Sequence, residues 1–231
     1  MELRSALIIG LLPLIAIACE NGASSSSSST SGTNTPITPS ADESSWRQPG
    51  TLFSVVPMIP GSTVANIMAG DGYYAFELLK AGAAKVIAID PDEGNVERIR
   101  AKAESLGFGK DKLEVRHAPL GTTGLQNGEA DLALCVHSYP NLPDRINYLR
   151  KVRTALKSPA PLVLVDFNPA DSPVGPPLDQ RWSDQQVMDE MELVGATDIG
   201  AYSKKLPYQW IVIALDFVEI PDGPGDEVAP G

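Results

Sequence analysis

The sequence contains only two cysteines and two histidines among 231 residues. Two cysteines exclude a disulfide-built scaffold, and with so few sulfur and imidazole ligands we predict no metal site. Basic residues are also scarce, since 18 Lys and Arg stand against 29 Asp and Glu for a net charge of −11. Nucleic acid binding depends on Lys and Arg, so we expect no nucleic acid partner. No apolar run reaches the roughly 20 residues of a membrane-spanning helix, which excludes a polytopic membrane protein.

The longest apolar to weakly polar run has 13 residues, Ala6–Ala18, and stands between Arg4 and Cys19. Its length and its small final residues are typical of the hydrophobic region of a secretory signal peptide. The junction Leu14-Ile15-Ala16-Ile17-Ala18-Cys19 resembles the lipobox of bacterial lipoproteins. This resemblance implies that residues 1–18 are removed and that Cys19 carries a lipid. The lipid would anchor the chain outside the cytoplasm, on the periplasmic face or the surface of a bacterial cell envelope. A retained anchor, or an ordinary secreted protein with a free Cys19, is the alternative.

Residues 19–48 form the second segment, which we predict to be a lipidated Cys19 followed by a disordered, flexible tether. Glu20–Gln48 holds 14 Ser or Thr in 29 residues, and such a segment lacks the apolar surface that would offset its ordering entropy. The last segment, Pro221–Gly231, is rich in Pro, Gly and acidic residues, and it is predicted to be a disordered tail. One domain remains, residues 49–220, with 22 acidic and 16 basic side chains.

Within this domain, short runs rich in Val, Ile and Leu alternate with amphipathic patterns. The runs lack strict polar alternation, which is typical of strands buried on both faces of a parallel sheet. The predicted strands are Thr63–Met68, Lys85–Asp90, Leu113–Ala118, Asp131–Val136 and Leu162–Asp166, and the predicted helices cover 72–81, 93–106 and 144–156 and begin again at Ser183. Gln209–Phe217 is expected to pair with a segment near 197–205. The order predicts an α/β fold, a Rossmann-like doubly wound sheet that is mostly parallel and ends in a C-terminal antiparallel hairpin.

A glycine-rich turn follows the first predicted strand and indicates a binding site. Gly70 and Gly72 stand directly before the next helix, where bare backbone lets a ligand approach and helix N–H groups attract an anion. Asp90 ends the second strand 18 residues after Gly72. A carboxylate in that place can accept hydrogen bonds from both hydroxyls of a ribose. We therefore predict a ligand that contains a nucleoside.

This turn and several longer stretches resemble the class I S-adenosylmethionine-dependent methyltransferases. The first motif of that family is similar to Gly61–Tyr74, and its acidic second-strand motif is similar to Val86–Pro91. Further similarity extends over Ala130–Tyr139, Tyr148–Lys157, Leu162–Phe167 and Leu206–Trp210. The resemblance implies the class I methyltransferase fold, S-adenosylmethionine as cofactor and methyl transfer to an acceptor, which we expect to be a small molecule.

The same resemblance implies roles for particular residues. The expected cofactor-binding residues are Asn66, Ala69, Gly70, Asp71, Gly72 and Tyr73 near the methionine part, Asp90 at the ribose and Pro91 near the adenine. His137 and Tyr139 are expected at the mouth where the acceptor enters, and there they would orient or deprotonate it. Two positions depart from the family pattern, because Asn66 stands where an acidic residue is usual and Met68 where a glycine is usual.

Two other functions stay open. Asn66, Met68 and a location outside the cytoplasm, where S-adenosylmethionine is not expected, favour a catalytically inactive methyltransferase fold that serves as a tethered binding module. Gly70-x-Gly72-x-x-Ala75 also satisfies a looser dinucleotide fingerprint, so a nicotinamide-dependent oxidoreductase is a further candidate. Signatures of serine hydrolases and zinc proteases are missing from the sequence, and no pattern indicates an oligomeric state.

Overall fold

The computed structural model describes residues 43–58 and 60–218. The predicted signal peptide at 1–18, the lipidated Cys19, the tether as far as residue 42 and the tail at 221–231 lie outside the described residues, so they stay predictions. No helix in the described ranges combines the length and the apolar character needed to span a membrane.

Seven strands form one sheet with a parallel part and an antiparallel edge. They are β1 Thr63–Ile67, β2 Lys85–Asp90, β3 Leu113–His117, β4 Leu132–Val136, β5 Leu162–Phe167, β6 Ala196–Ala201 and β7 Gln209–Phe217. Their order across the sheet is β3-β2-β1-β4-β5-β7-β6. β1 pairs in parallel with both β2 and β4, whereas β7 is antiparallel to both β5 and β6. This topology confirms the predicted fold, and it puts the point where strand order reverses at the ends of β1 and β4.

Six α-helices flank these strands in the part of the chain that the structure describes. They are α1 Glu43–Arg47, α2 Pro49–Val55, α3 Tyr73–Lys80, α4 Glu93–Ser105, α5 Arg145–Ala155 and α6 Asp184–Val194. The first turn of α6 contains a reciprocal cap, in which the Ser183 hydroxyl accepts from the Gln186 amide and the Gln186 side chain accepts from the Ser183 amide. This pair is a capping box, and it begins the helix at the residue that the sequence predicts. α1 and α2 have no counterpart among the predicted helices.

Apolar clusters cover both faces of the sheet. On one face, Leu149 of α5 and Met191 of α6 join the inward side chains of the sheet, and on the other face Leu52 of α2 and Leu78 of α3 do so. All four are at most 1% exposed, and each such burial contributes about 1.5–3 kcal/mol. The sheet is therefore a rigid platform, and the loops at the carboxyl ends of its strands carry the candidate site.

The helix α1 corrects the predicted boundary between tether and domain. Trp46 is 4% exposed, and its ring lies 5.5 Å from each of the His137 and Phe167 ring centres. Its backbone carbonyl accepts a hydrogen bond of 2.8 Å from the buried Gln209 side chain. The domain therefore includes residues 43–48, and the predicted start at residue 49 is wrong. The high Ser and Thr content averaged over 20–48 concealed one large apolar side chain that the core needs.

Trp46→Ala should lower the free energy of unfolding by about 3–5 kcal/mol, because it removes a buried aromatic side chain and leaves a cavity. Urea unfolding followed by circular dichroism measures this change. The control is Leu193→Ala on α6, where the side chain is 55% exposed and the expected change is within about 0.5 kcal/mol. Equal effects of the two substitutions would contradict the inclusion of Trp46 in the core.

Candidate active site

The turn between β1 and α3 has the backbone of a ligand-binding loop. Gly72 has a φ of +78°, and a Cβ at this position would lie 2.8 Å from a side-chain carbon of Ile99. Gly70 has a φ of +58°, and nothing lies within 4 Å of the place where its Cβ would be. Gly72 is therefore required by packing against α4, whereas Gly70 leaves open space that a ligand can fill. The turn is closed by a hydrogen bond from the Gly72 amide to the Ala69 carbonyl at 2.9 Å.

Asp90 joins this turn to the end of β2 and the start of α4. Its carboxylate is 3% exposed and accepts hydrogen bonds from the amides of Gly70 at 2.7 Å and Asp92 at 2.9 Å, and from the Asn95 side chain at 2.9 Å. A carboxylate offers about four acceptor positions, so three protein donors leave one for a ligand hydroxyl. Asp90 thus lies at the glycine-rich turn and bonds to it, whereas its predicted role at a ribose stays a prediction.

An apolar recess lies beside Asp90, between the ends of β1, β2 and β3. Its lining includes Met68, Ile89, Pro91, Ala118 and Tyr148. The cavity volume of the recess is only about 10 Å³, inside a partly open space of about 240 Å³. The recess has the chemistry of a base-binding pocket, while its free space is near that of a single water molecule.

Met68 narrows the recess and holds an unusual backbone conformation. Its φ is +49°, a left-handed conformation that costs a residue with a side chain about 1–2 kcal/mol and costs glycine nothing comparable. The structure therefore explains why the resemblance leads one to expect glycine here. Asn66, the other departure, is 2% exposed and has a buried Oδ1 without a hydrogen-bond partner in the described part of the chain. Such an orphaned acceptor is the kind of group that a ligand's donor completes.

The predicted cofactor residues come together at this edge of the sheet. Asp71 is exposed, and its carboxylate accepts from the Tyr73 amide at 3.0 Å. Tyr73 is partly buried, and its ring lies edge-on to the Tyr74 ring at 5.0 Å. Pro91 follows Asp90 and lines the recess. Their individual roles toward a ligand stay predictions.

His137 follows β4 and lies within a group of aromatic rings. It stacks on Phe167 with ring centres 4.6 Å apart, and its Nε2 is 2.8 Å from the Gln209 Oε1. The Gln209 Nε2 donates to the Trp46 carbonyl, so its Oε1 is the acceptor and we assign the proton of His137 to Nε2. Burial lowers the pKa of His137 to about 4. The imidazole is therefore neutral at pH 7 and keeps Nδ1 as an acceptor.

Tyr139 does not lie where we expected it. Its side chain is fully buried, and its hydroxyl is hydrogen-bonded to the Glu190 carboxylate, which also forms an ion pair of 2.7 Å with Arg145. Burial, followed by the hydrogen bond to Glu190, raises the pKa of this hydroxyl well above its ordinary value. The expectation that Tyr139 stands at the acceptor's entrance is wrong, because the chain turns inward after His137 and the ring fills the core between α5 and α6.

Sequence analysis missed the residue that shapes the loop after β5. The Arg181 guanidinium donates to four backbone carbonyls and one hydroxyl of this loop, those of Asn168, Ala170, Val174, Pro176 and Ser172. Gly175 rests on Phe167, since a Cβ there would lie 2.7 Å from the ring. The loop thus covers Phe167 next to His137. A single arginine at the end of a segment rich in Pro and Gly was the available signal.

The segment from β1 to just after α5 matches a family model. The match covers residues 64–159 and carries the description of a methyltransferase domain. No curated protein matches the chain in sequence.

Solved structures share the fold of this chain. An S-adenosylmethionine-dependent methyltransferase from Aquifex aeolicus is 23% identical, with a TM-score of 0.69 over 75% of this chain and 91% of its own. A second one, from Mesorhizobium loti, is 15% identical with a TM-score of 0.57, over 72% and 96%. The cyclase SpnF is 12% identical with a TM-score of 0.62, over 75% and 82%. At these identities the likeness shows the fold, and the fold alone does not fix the reaction.

Strand order gives no support to the nicotinamide-dependent alternative. Dinucleotide-binding domains of that type place six strands in the order 3-2-1-4-5-6, whereas β7 here lies between β5 and β6 and is antiparallel to both. The match to a methyltransferase family model, and structural relatives that are S-adenosylmethionine-dependent enzymes, make S-adenosylmethionine the cofactor to compare with the site.

The described residues fit this cofactor in four places. Open space at Gly70 suits close approach of its methionine part, and the remaining acceptor position on Asp90 suits a ribose hydroxyl. The unpaired Asn66 Oδ1 suits an ammonium donor, and the apolar lining of the recess at Pro91 suits an adenine. The cavity is smaller than an adenine ring, so lining residues such as Met68 have to shift before the ring can enter.

Met68→Gly should strengthen binding of S-adenosylmethionine by about threefold to tenfold, which corresponds to roughly 0.7–1.4 kcal/mol. The substitution removes the side chain that narrows the recess and places glycine in a left-handed conformation that suits it. Isothermal titration calorimetry measures the affinity. Met68→Leu keeps the bulk and serves as the control, and weaker binding by the glycine variant would contradict this role of Met68.

Proposed function

We propose that the chain is an S-adenosylmethionine-dependent methyltransferase that acts on a small-molecule acceptor. The observation that carries this proposal is the hydrogen bond between Asp90 and the Gly70 amide at the ends of β1 and β2, within the segment that matches a methyltransferase domain. This contact sets the shape of the turn before a ligand arrives. A preformed site loses less entropy on binding.

The chain's contribution to the reaction is chiefly positional. Bound S-adenosylmethionine supplies a methyl group on a positively charged sulfur, and the transfer leaves a neutral thioether. The turn at Gly70 and the Asp90 carboxylate fix one reactant, so that an acceptor next to His137 meets it in a defined orientation. Such alignment is the main catalytic effect that we assign to these residues.

His137 is the residue best suited to orient the acceptor. Its Nε2–H is held by Gln209, and its ring is fixed against Phe167, so Nδ1 has one defined direction. A neutral Nδ1 can accept a hydrogen bond from an acceptor's hydroxyl or amine. The low pKa of His137, about 4, makes it a weak base, so we assign it orientation of the acceptor ahead of proton removal.

Asp90→Asn should weaken binding of S-adenosylmethionine by about tenfold to a hundredfold, since it removes charge-assisted hydrogen bonds to the turn and to the ribose. Calorimetric titration of the full chain measures the affinity. Asp198→Asn is the matched control, because Asp198 is an exposed residue of the edge strand β6, and it should bind as the unmodified chain does. No binding by the unmodified chain at millimolar ligand would exclude the enzyme.

The alternative function is a catalytically inactive binding module with this fold. Two observations favour it: the recess near Met68 has little free space, and Trp46 occupies the neighbourhood of His137. The cyclase SpnF, whose fold is similar, illustrates that such a domain need not transfer methyl groups. Failure to bind S-adenosylmethionine would favour this module over the enzyme.

We further propose that the protein is held on a membrane by a lipid on Cys19, on the extracytoplasmic side of a bacterial cell envelope. The support is sequence alone, namely the run Ala6–Ala18 and the lipobox-like junction before Cys19. A segment rich in Ser and Thr then separates the anchor from the domain, which would keep the site a short distance from the membrane surface.

Cys19→Ser should abolish labelling of the protein by radioactive palmitate in bacterial cells. If the signal peptide is still removed, the substitution should also release the protein from the membrane fraction. The sequence offers a matched control, because Cys135 is its only other cysteine and is buried in β4. Cys135→Ala should keep both the label and the membrane association. A soluble, unlabelled wild-type protein would refute the lipid anchor.

A further inference from the structure

Arg47 lies among aromatic rings at the edge of the candidate site. Its guanidinium carbon is 4.6 Å from the ring centre of Tyr73, 5.0 Å from that of Trp46 and 5.8 Å from that of Tyr74. Tyr73 is the first residue of α3 and follows Gly72 directly. The guanidinium is therefore beside the turn that carries Gly70.

The Arg47 guanidinium has few polar partners for a group that is mostly shielded from solvent. Its side chain is 15% exposed, and its one ion pair within the described residues is to Glu43, whose carboxylate lies 3.1 Å from Nε. That contact lacks hydrogen-bond geometry, since Nε is buried without a hydrogen-bond partner. An arginine carries five N–H donors and does not lose its charge. This position therefore suits an anion with more than one acceptor atom.

The surroundings also place Arg47 between the two halves of the site. Its charge is felt at His137, where it adds to the larger effect of burial in lowering the pKa. Its contact with Tyr73 puts it next to the glycine-rich turn. A ligand that reaches from the turn toward His137 therefore passes the guanidinium.

We infer that Arg47 binds the carboxylate of the methionine part of S-adenosylmethionine, an inference that rests on the proposed function. This carboxylate is the only anionic group of the cofactor. A guanidinium can donate two parallel hydrogen bonds to a carboxylate. The aromatic rings hold the guanidinium through its π face and its charge without using its N–H donors, so the donors stay available to the ligand.

Glu43 is the competitor for the same cation. It lies one helical turn before Arg47, and its side chain is 42% exposed. A partly exposed ion pair contributes little stability, so Glu43 can move into solvent when a ligand carboxylate takes its place. The inference thus assigns a function to the helix α1, which brings both residues to the site.

The test compares two ligands that differ in the carboxylate. S-adenosylhomocysteine has it, whereas 5′-methylthioadenosine has the same nucleoside and sulfur but lacks the amino acid part. Arg47→Met should weaken S-adenosylhomocysteine binding to the full chain by about tenfold or more, and it should change methylthioadenosine binding by less than about twofold. Arg153→Met is the matched control, because that guanidinium lies 5.6 Å from the Phe217 ring, remote from the turn, and both affinities should stay unchanged.

A second variant keeps the inference testable if Arg47→Met does not fold. Glu43→Gln removes the competing carboxylate, so it should strengthen binding of S-adenosylhomocysteine and leave that of methylthioadenosine unchanged. An unchanged affinity of Glu43→Gln for S-adenosylhomocysteine would overturn the inference. Equal losses for both ligands in a folded Arg47→Met would overturn it and leave the proposed function intact. If the unmodified chain binds neither ligand, both are overturned.

Discussion

The candidate site depends on the hydrogen bonds of one buried carboxylate. Asp90 takes its donors from the turn after β1, from the residues that follow β2 and from the first turn of α4, so a single side chain holds three elements in register. A buried charge of this kind is tolerated because neutral donors compensate it. The remaining acceptor position faces no protein donor, and the same group that shapes the turn can therefore also serve a ligand. A substitution of Asp90 would therefore change the shape of the turn and the acceptor offered to a ligand at the same time.

The sheet and the glycine-rich turn could be predicted from the sequence because their signals are local. The ends of β1 to β5 and of β7 agree with the structure to within one residue, whereas β6 ends four residues before the predicted segment does. The cap at Ser183 is formed by a partner three positions away. Tyr139 could not be placed in this way. His137 has a φ of +56°, so the extended backbone of β4 does not continue to Tyr139. The hydroxyl of Tyr139 is hydrogen-bonded to Glu190, which is 51 residues later in the chain.

The contributions of α1 and of the loop after β5 could not be predicted for a related reason. The neighbours of Trp46 in the sequence are Ser, Glu, Arg and Gln, which give no sign of a buried side chain. Its burial depends on the rings of His137 and Phe167, which only the folded sheet brings near. The Arg181 guanidinium likewise donates to the backbone carbonyls of Asn168 and Ala170, and no sequence pattern indicates this pairing. Positions like these are fixed by tertiary contacts, and composition averaged over a segment conceals them. Trp46 and Arg181 both lie beside the ring of Phe167.

The hydrogen bond from Gln209 to the Trp46 carbonyl joins the first helix to the last strand across 163 positions. A ribosome delivers the chain from its N-terminus, so the glycine-rich turn and Asp90 are complete long before Gln209 exists. Until β7 has been synthesised, the Trp46 carbonyl lacks the Gln209 side chain as its hydrogen-bond donor. His137 then also lacks the acceptor that fixes its proton on Nε2. A chain that ends before Gln209 therefore lacks the acceptor that orders the imidazole of His137. Gln209, at the start of the last strand, thus fixes both the first helix and the candidate imidazole.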